Sequence, residues 1–373
     1  MKKFLIFVII VLILIISGAF ATYIGRIISG EMSGIENVMG KVDQEKEQGG
    51  MLEVEIQKEV QIFNGNSRPI AVMIDNVGDA RPQAGLNDAY MVYEIIVEGK
   101  LTRLMALFKA VDIDKIGPIR SSRHYFLDYA LENDAIYVHY GWSPKAKSDI
   151  SSLKVDNING INESSSSFWR VKDKSAPHNV VTSTEKILKI AKRKGYSTTS
   201  DQESVLNYVT EEVELTDGIP ATKITLPYSS SYKVSYKYDE QTKRYTRSYN
   251  KTTQKDWETG ELVTTKNIIV TFARNSKLND GSGKDRQDLS NIGTLDGYYI
   301  TNGKAIEIKC YKASRDAQTV YKDLEGNEIE VNDGNTFVQI VPMGADVKIE
   351  PGVTEVPEST INNETINYEN AIN

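Results

Sequence analysis

An α/β domain with a mixed sheet and about three helices, a smaller all-β domain after it, and a membrane anchor before both: this is the architecture the sequence predicts. Three observations predict it. Between residues 67 and 200, apolar runs of strand length are interleaved with helical patterns, as expected where helices and strands share one core. From 225 to 345 the runs read as strands separated by turn signals, without a helical period. At the start, Lys2 and Lys3 precede an apolar run that continues with small residues to Gly25. Phe4 to Gly25 is long enough to span a bilayer.

Residues 1–26 are therefore expected to be a transmembrane anchor or a signal peptide, in the latter case cleaved after Ala21 behind small residues. Either way Lys2 and Lys3 stay inside and the domains lie outside the cytoplasm. An uncleaved anchor makes a cell-membrane protein, and cleavage makes a secreted one. Residues 27–66, charged and weakly patterned, are expected to form a stalk.

In the 67–200 region, "RPIAVMIDN", "AYMVYEIIVEG", "TRLMALFKA" and "AIYVHYG" are strand candidates. A first helix is expected near Ser121 or Ser122, carrying Tyr125, Phe126, Tyr129 and Leu131. A second opens with Ser143 as N-cap and Pro144 at its first position. A third opens with a capping box from Thr182 to Glu185 and closes on Gly195. Residues 201–224 are a linker. In the 225–345 region, "SSYKVSYKYDEQTKRYTRSYN" alternates about a turn, "TTKNIIVTFAR" suits a buried strand, and Asn302-Gly303 marks a hairpin. Residues 346–373, rich in glutamate and without basic residues after Lys348, are expected to be a disordered acidic tail.

Composition removes several function classes. The net charge is -7, which argues against a nucleic-acid partner. With Cys310 as the single cysteine, neither a disulfide within one chain nor a cysteine zinc site can form. There is no HExxH, GxSxG, Walker A or GxGxxG pattern. SxxK recurs, as at Ser151, Ser183 and Ser230, without its partner motifs and carries nothing. No metal and no cofactor are expected, and Cys310 is expected to be buried and inert.

The polar residues that stand out lie at element ends of the first domain. "GPIRSSR", residues 117–123, places Arg120, Ser121 and Arg123 beside an expected helix start, where backbone N–H groups attract anions. Arginine forks suit carboxylate or phosphate. The alternative is that these arginines pair with Glu94, Glu98 or Asp128 inside the fold. Asn76, Arg81, Gln83, Arg103, Ser143, Arg170 and Asn179 complete the candidate ligand-binding set. Candidate acid–base residues are His178, His139, Glu94 and Glu98. His178, in the loop "SAPHN", has the strongest claim. His139, within an apolar strand, also suits a satisfied core position.

"RPIAVMIDN", "RPQAGLNDAYMVYEIIVEGKLTRLMALF", "GPIRSSRHYF", "DAIYVHYGWSPKA", "APHNVVTS" and "DGNTFVQIVP" together resemble the YerB-like family, bacterial proteins classed as lipoproteins. That family is defined by a domain of unknown function followed by a β-rich partner domain. The resemblance spans roughly residues 60–345 and implies an extracytoplasmic, membrane-tethered protein, most often of Gram-positive bacteria. It supplies no reaction. Asn76, Gln83, Glu94, Glu98, Thr102, Arg103, Arg120, Ser121, Arg123, His139, Ser143, Arg170, His178 and Asn179 match its polar positions. The family usually carries a lipid-attachment cysteine near the N-terminus, and this chain has none there, so a transmembrane anchor is expected instead.

The expected function is binding of an anionic ligand, carboxylate or phosphate and cell-wall-derived in one version, through an arginine-rich cleft in the envelope. One alternative is an envelope hydrolase or transferase with histidine and glutamate as acid and base. The other is a scaffold for membrane proteins. Protein partners are unspecified.

Overall fold

Three strands, β1 (Ile70–Asp75), β2 (Met91–Ile96) and β3 (Thr102–Phe108), are buried at every position. A strand buried on both faces reads as an unbroken apolar run, which is why all three were visible in the sequence. The computed structural model describes residues 58–351. The expected anchor, most of the stalk and residues 352–373 lie outside the described residues. Among the described residues no helix is long and apolar enough to cross a membrane.

β3 pairs antiparallel with both β1 and β2. β4 (Ile136–His139) runs parallel to β1, and β5 (Asn157–Asn159) parallel to β4. Three helices accompany them: α1 (Phe126–Glu132), α2 (Pro144–Ser152) and α3 (Thr184–Lys194). The later chain supplies β6 (Lys223–Pro227), β7 (Lys233–Asp239), β8 (Arg244–Tyr249), β9 (Asn267–Lys277) and β10 (Gln287–Ser290). It continues with β11 (Gly293–Thr301), β12 (Lys304–Lys312), β13 (Val320–Lys322), β14 (Thr336–Pro342) and β15 (Lys348–Glu350).

The two halves are not separate sheets. One 12-stranded sheet runs β13-β12-β11-β9-β14-β2-β3-β1-β4-β5, with β10 and residues 219–220 pairing at its side. β14 is the joint. It lies parallel to β9 on one side and to β2 on the other. The mixed α/β class is as expected, and the later part is β-rich as expected, but its central strands extend the first sheet. Alternation alone could not show this, because strand pairing is a long-range choice. A second, 6-stranded sheet is built on β8-β7-β6-β15.

Each face of the large sheet has its own core. Ile187 and Ile190 of α3 and Ile224, Leu226 and Tyr236 of the second sheet cover one face, against Val72, Val270 and Phe337. Phe126 and Leu127 of α1 and Ile150 of α2 cover the other, against Met73, Met105 and Val338.

Several local expectations need correction. α1 begins at Phe126, after Tyr125, rather than at Ser121 or Ser122. Backbone bonding explains the delay. Arg120 N–H donates to Met73 O and Tyr140 N–H to Arg120 O, both at 2.9 Å. Residues 119–122 are thus held as an extended insert between β1 and β4, whose direct pairing runs from Ile70 and Ile136 and stops at Val72 and Val138. α3 is capped by Ser183, whose Oγ accepts from Lys186 N–H at 3.3 Å, and not by Thr182. Thr182 is instead engaged with Ile116 and with Ser167 O. Gly195 ends α3 at φ 77, as expected.

Ser143 caps α2 by accepting from Ala146 N–H, also as expected. Asn302 and Gly303, with φ 48 and 75, close the two-residue hairpin between β11 and β12. The expected linker 201–224 is partly structured, since residues 208–209 pair with 331–332 and 219–220 with β12. The expected acidic tail begins with β15, paired to β6. The end of the expected stalk is held by Asp333, which accepts from the N–H groups of Gln61 and Ile62.

Candidate functional site

The polar residues of the first half resolve into three neighbouring groups. Two are architecture. In the first, Glu94 is fully buried on β2. Its carboxylate accepts from Thr102 Oγ1 at 2.8 Å and Tyr232 Oη at 2.9 Å, and from Arg247 Nη2 at 2.6 Å. Both charged side chains are 0% exposed. Asn76 Nδ2 donates to the same carboxylate. Gln83 donates to Asn76 Oδ1 and receives Gln254 Nε2 at 2.7 Å. Glu94, Asn76 and Gln83 therefore hold β1 and β2 to the second sheet. A carboxylate saturated in this way cannot serve as the acid of an acid–base pair. Arg81, partly exposed at the rim, donates to Asn76 Oδ1 and lies 4.0 Å from the Tyr249 ring centroid.

The second group is centred on Glu98, beyond the end of β2. Arg123 Nε donates to Glu98 Oε1 at 2.7 Å, and a second Arg123 nitrogen also meets that oxygen. Arg103 Nη2 is 3.6 Å from Glu98 Oε2, and Arg286 Nε 3.8 Å from Oε1. Arg103 also donates to Ser121 O. Burial pushes the Arg103 guanidinium down to about 10, and the neighbouring Arg123 cation adds to the effect. Arg123 further donates to Ser122 O at 2.7 Å, so its fork is filled from within. Glu98, like Glu94, is an internal counter-ion.

The third group is different. Asp75 ends β1 and is 1% exposed. Its Oδ2 accepts from His178 Nδ1 at 2.7 Å. A carboxylate only accepts, so this bond places the imidazole proton on Nδ1. Nε2 has no hydrogen-bond partner among the described residues. Arg120 Nε lies 2.9 Å from the same Oδ2, but its N–H is not aimed at it and the atom is buried without a hydrogen bond. The remaining Arg120 contact is a long bond to Pro177 O at 3.5 Å. The Arg120 and His178 side chains stay 23% and 18% exposed.

Beside them, Arg170 Nη1 donates to Asn179 Oδ1 at 2.6 Å and its guanidinium lies over the Tyr140 ring. Asn179 in turn holds the loop through Val171 O and Lys174 O. Gly117 and Gly141 allow the close approach of these segments. At Gly117, φ 142, a Cβ would come 3.0 Å from Val180 O; at Gly141, φ 84, it would come 3.1 Å from Ser121 Oγ.

His139 is not part of this group. It is fully buried, with Nδ1 bonded to Gly141 O at 2.7 Å and Nε2 3.3 Å from Asn157 Oδ1. Burial lowers it to about 4, so it stays a neutral core histidine. Ser143 is likewise a cap, buried with its Oγ used. Cys310 is buried, and burial pushes its thiol up to about 12. Among the described residues no cluster of His, Cys, Asp and Glu could hold a metal ion.

Asp75 stands out in the sequence beside Asn76, Arg81 and Gln83, as the one charged residue of an otherwise apolar strand, "IAVMID", but no binding or acid–base role is expected for it there. That position was the available signal. Arg247, Tyr232 and Gln254 could not have been found, since only the pairing of distant segments brings them to Glu94.

Three comparisons bear on this chain. The model of the family described as Protein of unknown function (DUF3048), N-terminal domain, matches residues 57–197. The corresponding C-terminal domain matches residues 224–338. The chain is 33% identical over 289 residues, 74% of its length and 81% of the other's, to the Bacillus subtilis (strain 168) protein named "Putative lipoprotein YerB". The crystal structure of YerB protein from Bacillus subtilis superposes with a TM-score of 0.69 at 31% identity, covering 78% of this chain and 97% of that one.

Proposed function

This chain belongs to the YerB-like family, with its paired DUF3048 N- and C-terminal domains, and from that premise we propose an envelope-associated, extracytoplasmic protein that binds an anionic ligand at Asp75, Arg120 and His178. The relative's name, a lipoprotein, supports the location. So does the apolar segment after Lys2 and Lys3, which serves as the tether where a lipidated cysteine is missing.

The unspent donors of Arg120 carry the ligand reading. Of the two arginines in "GPIRSSR", Arg123 is saturated by Glu98 and Ser122, whereas Arg120 has one long hydrogen bond. The local charges point the same way. Arg103, Arg120, Arg123 and Arg286 face Asp75, Glu98 and Asp280, four cations to three anions, with Arg170 alongside. A carboxylate or phosphate would supply the missing negative charge and accept from the guanidinium in bidentate fashion. Arg170 and the free Nε2 of His178 stand within the same loop cluster to complete the cradle.

The test is calorimetric titration of the full-length chain with inorganic phosphate, pyrophosphate and a lactyl-bearing wall muropeptide. At least one should bind. Arg120→Ala should weaken it by roughly tenfold or more, about the 1.5–3 kcal/mol of a charge-assisted bond. Equal binding by Arg120→Ala, or no binding by any of the three, would overturn the reading.

A second reading draws on the Asp75–His178 pair. A carboxylate holding Nδ1 and leaving Nε2 free is the arrangement of a general base. No hydroxyl is bonded to Nε2, so the base would act on water or on a substrate hydroxyl. Release of product from a muropeptide that is lost in His178→Asn would support this. Unchanged release in that variant would exclude it.

A further inference from the structure

We propose that a second site, a groove of about 420 Å³ at the β5 edge of the large sheet, binds an anionic sugar. It is lined by Trp142, Lys147, Lys154, Asn157, Asn159 and Lys194, among others. It lies on the far side of the 119–122 insert from the Asp75 cluster and shares no lining residue with it.

Three features meet there. The first is the half-buried Trp142 indole. His139 packs against it with ring centroids 5.5 Å apart, which fixes its plane. Its N–H makes no hydrogen bond among the described residues. An indole with a fixed plane and a free donor offers a stacking wall for the apolar C–H face of a pyranose and a hydrogen bond for its edge.

The second is Asn159. Its side chain is nine-tenths buried, and Oδ1 is used twice, by Gly141 N–H at 2.9 Å and Ile161 N–H at 3.2 Å. That fixes the amide orientation and leaves Nδ2 without a partner on the groove wall. A donor held this way needs an acceptor from a ligand or water, and a hydroxyl or acyl oxygen suits it.

The third is charge. Lys147, Lys154 and Lys194 all line the groove, and none is paired with a carboxylate among the described residues. Lys147 Nζ rests 5.6 Å from the Trp142 ring centroid. The single acid on the wall, Glu163, is already bonded to Arg193. The groove is thus cationic, with an aromatic wall and an oriented amide donor. A neutral sugar would use the last two, and a simple anion only the lysines. A pyranose bearing a carboxylate uses all three.

Titration of the full-length chain with N-acetylmuramic acid, N-acetylglucosamine and acetate separates these contributions, read by tryptophan fluorescence and calorimetry. Binding of the carboxylated sugar roughly tenfold tighter than of either other probe is expected. Trp142→Ala should abolish the preference, Trp142→Phe should retain most of it, and Lys154→Ala should weaken the carboxylated sugar alone. Inorganic phosphate binding that is weakened in Arg120→Ala and unchanged in Trp142→Ala, beside a Trp142-dependent part of the sugar titration that Arg120→Ala leaves in place, tells failure here from failure of the Arg120 site. Acetate binding as tightly as the sugar acid, or wild-type affinity in Trp142→Ala with the fold intact by circular dichroism, overturns the proposal.

Discussion

Arg123 Nε donates to Glu98 Oε1 at 2.7 Å across the end of the large sheet, and this one carboxylate also stands within 4 Å of Arg103 and Arg286. Glu98 is thus the counter-ion of Arg123 and Arg103, while Arg286 is paired with Asp280 and only flanks it. Glu98→Gln keeps the shape and removes the charge. It should lower stability by about 2–3 kcal/mol, the worth of hydrogen bonds to a charged and largely buried group. Urea unfolding measures it. A loss under roughly 0.5 kcal/mol would mean that solvent already neutralises the corner.

The Glu94–Arg247 pair, 2.6 Å apart and sealed from water, should behave as a buried pair does. Arg247→Met or Glu94→Gln alone should cost about 3–5 kcal/mol, because each leaves a charge without its partner. The double variant should cost clearly less than the sum of the two. A double-mutant cycle by chemical denaturation reads the coupling. Simple additivity would show that the two charges are stabilised separately.

His139 predicts a pH dependence. Burial lowers it from 6.5 to about 4 in the fold, so the folded state holds the neutral ring while the unfolded chain takes up a proton near 6.5. Between those values the unfolded state binds more protons, and stability must fall as pH falls. The contribution is complete above about pH 6.5 and is lost toward pH 4, up to about 3 kcal/mol. His124, lowered mainly by burial, acts in the same direction. Subtracting the stability profile of His139→Gln from that of the wild type removes the carboxylate background common to both. A flat difference between pH 4 and 6.5 would contradict the assignment.

Gly297, in the middle of β11, has Val270 O where a side chain would go: an added Cβ would lie 2.2 Å from that oxygen. Backbone cannot swing aside as a side chain can. Gly297→Ala should therefore force β11 away from β9 and cost about 2–3 kcal/mol, seen as a lower Tm in thermal unfolding. Wild-type stability would show that the two strands have slack.

The elements most legible in the sequence were those whose cause is local. Ser143 with Pro144, Gly195, and Asn302-Gly303 each encode their own geometry, and each stands where expected. The buried runs of β1, β2 and β3 were visible because two-sided burial leaves no polar alternation. What was not legible depends on distant partners. The helix expected at Ser121 was displaced because β1 and β4 capture the preceding residues. Glu94 looked like an acid until Arg247, 153 positions away, closed on it. Glu98 filled the fork of Arg123, as one reading had allowed, while the fork of Arg120 stayed open. Asp75 stands out at the end of its strand, but its role is not legible there, because nothing nearby shows that His178, 103 positions on, reaches it.

β14 has a consequence for how the molecule is made. It sits between β2 and β9, yet it leaves the ribosome after both. Until Pro342 has emerged, the two halves have nothing to close onto, and each presents an unpaired strand rim able to recruit a neighbouring chain. If the chain is threaded across a membrane as it is made, the clasp snaps shut on the far side. A stop codon anywhere ahead of residue 336 would then release an open, adhesive product in place of a shorter working one.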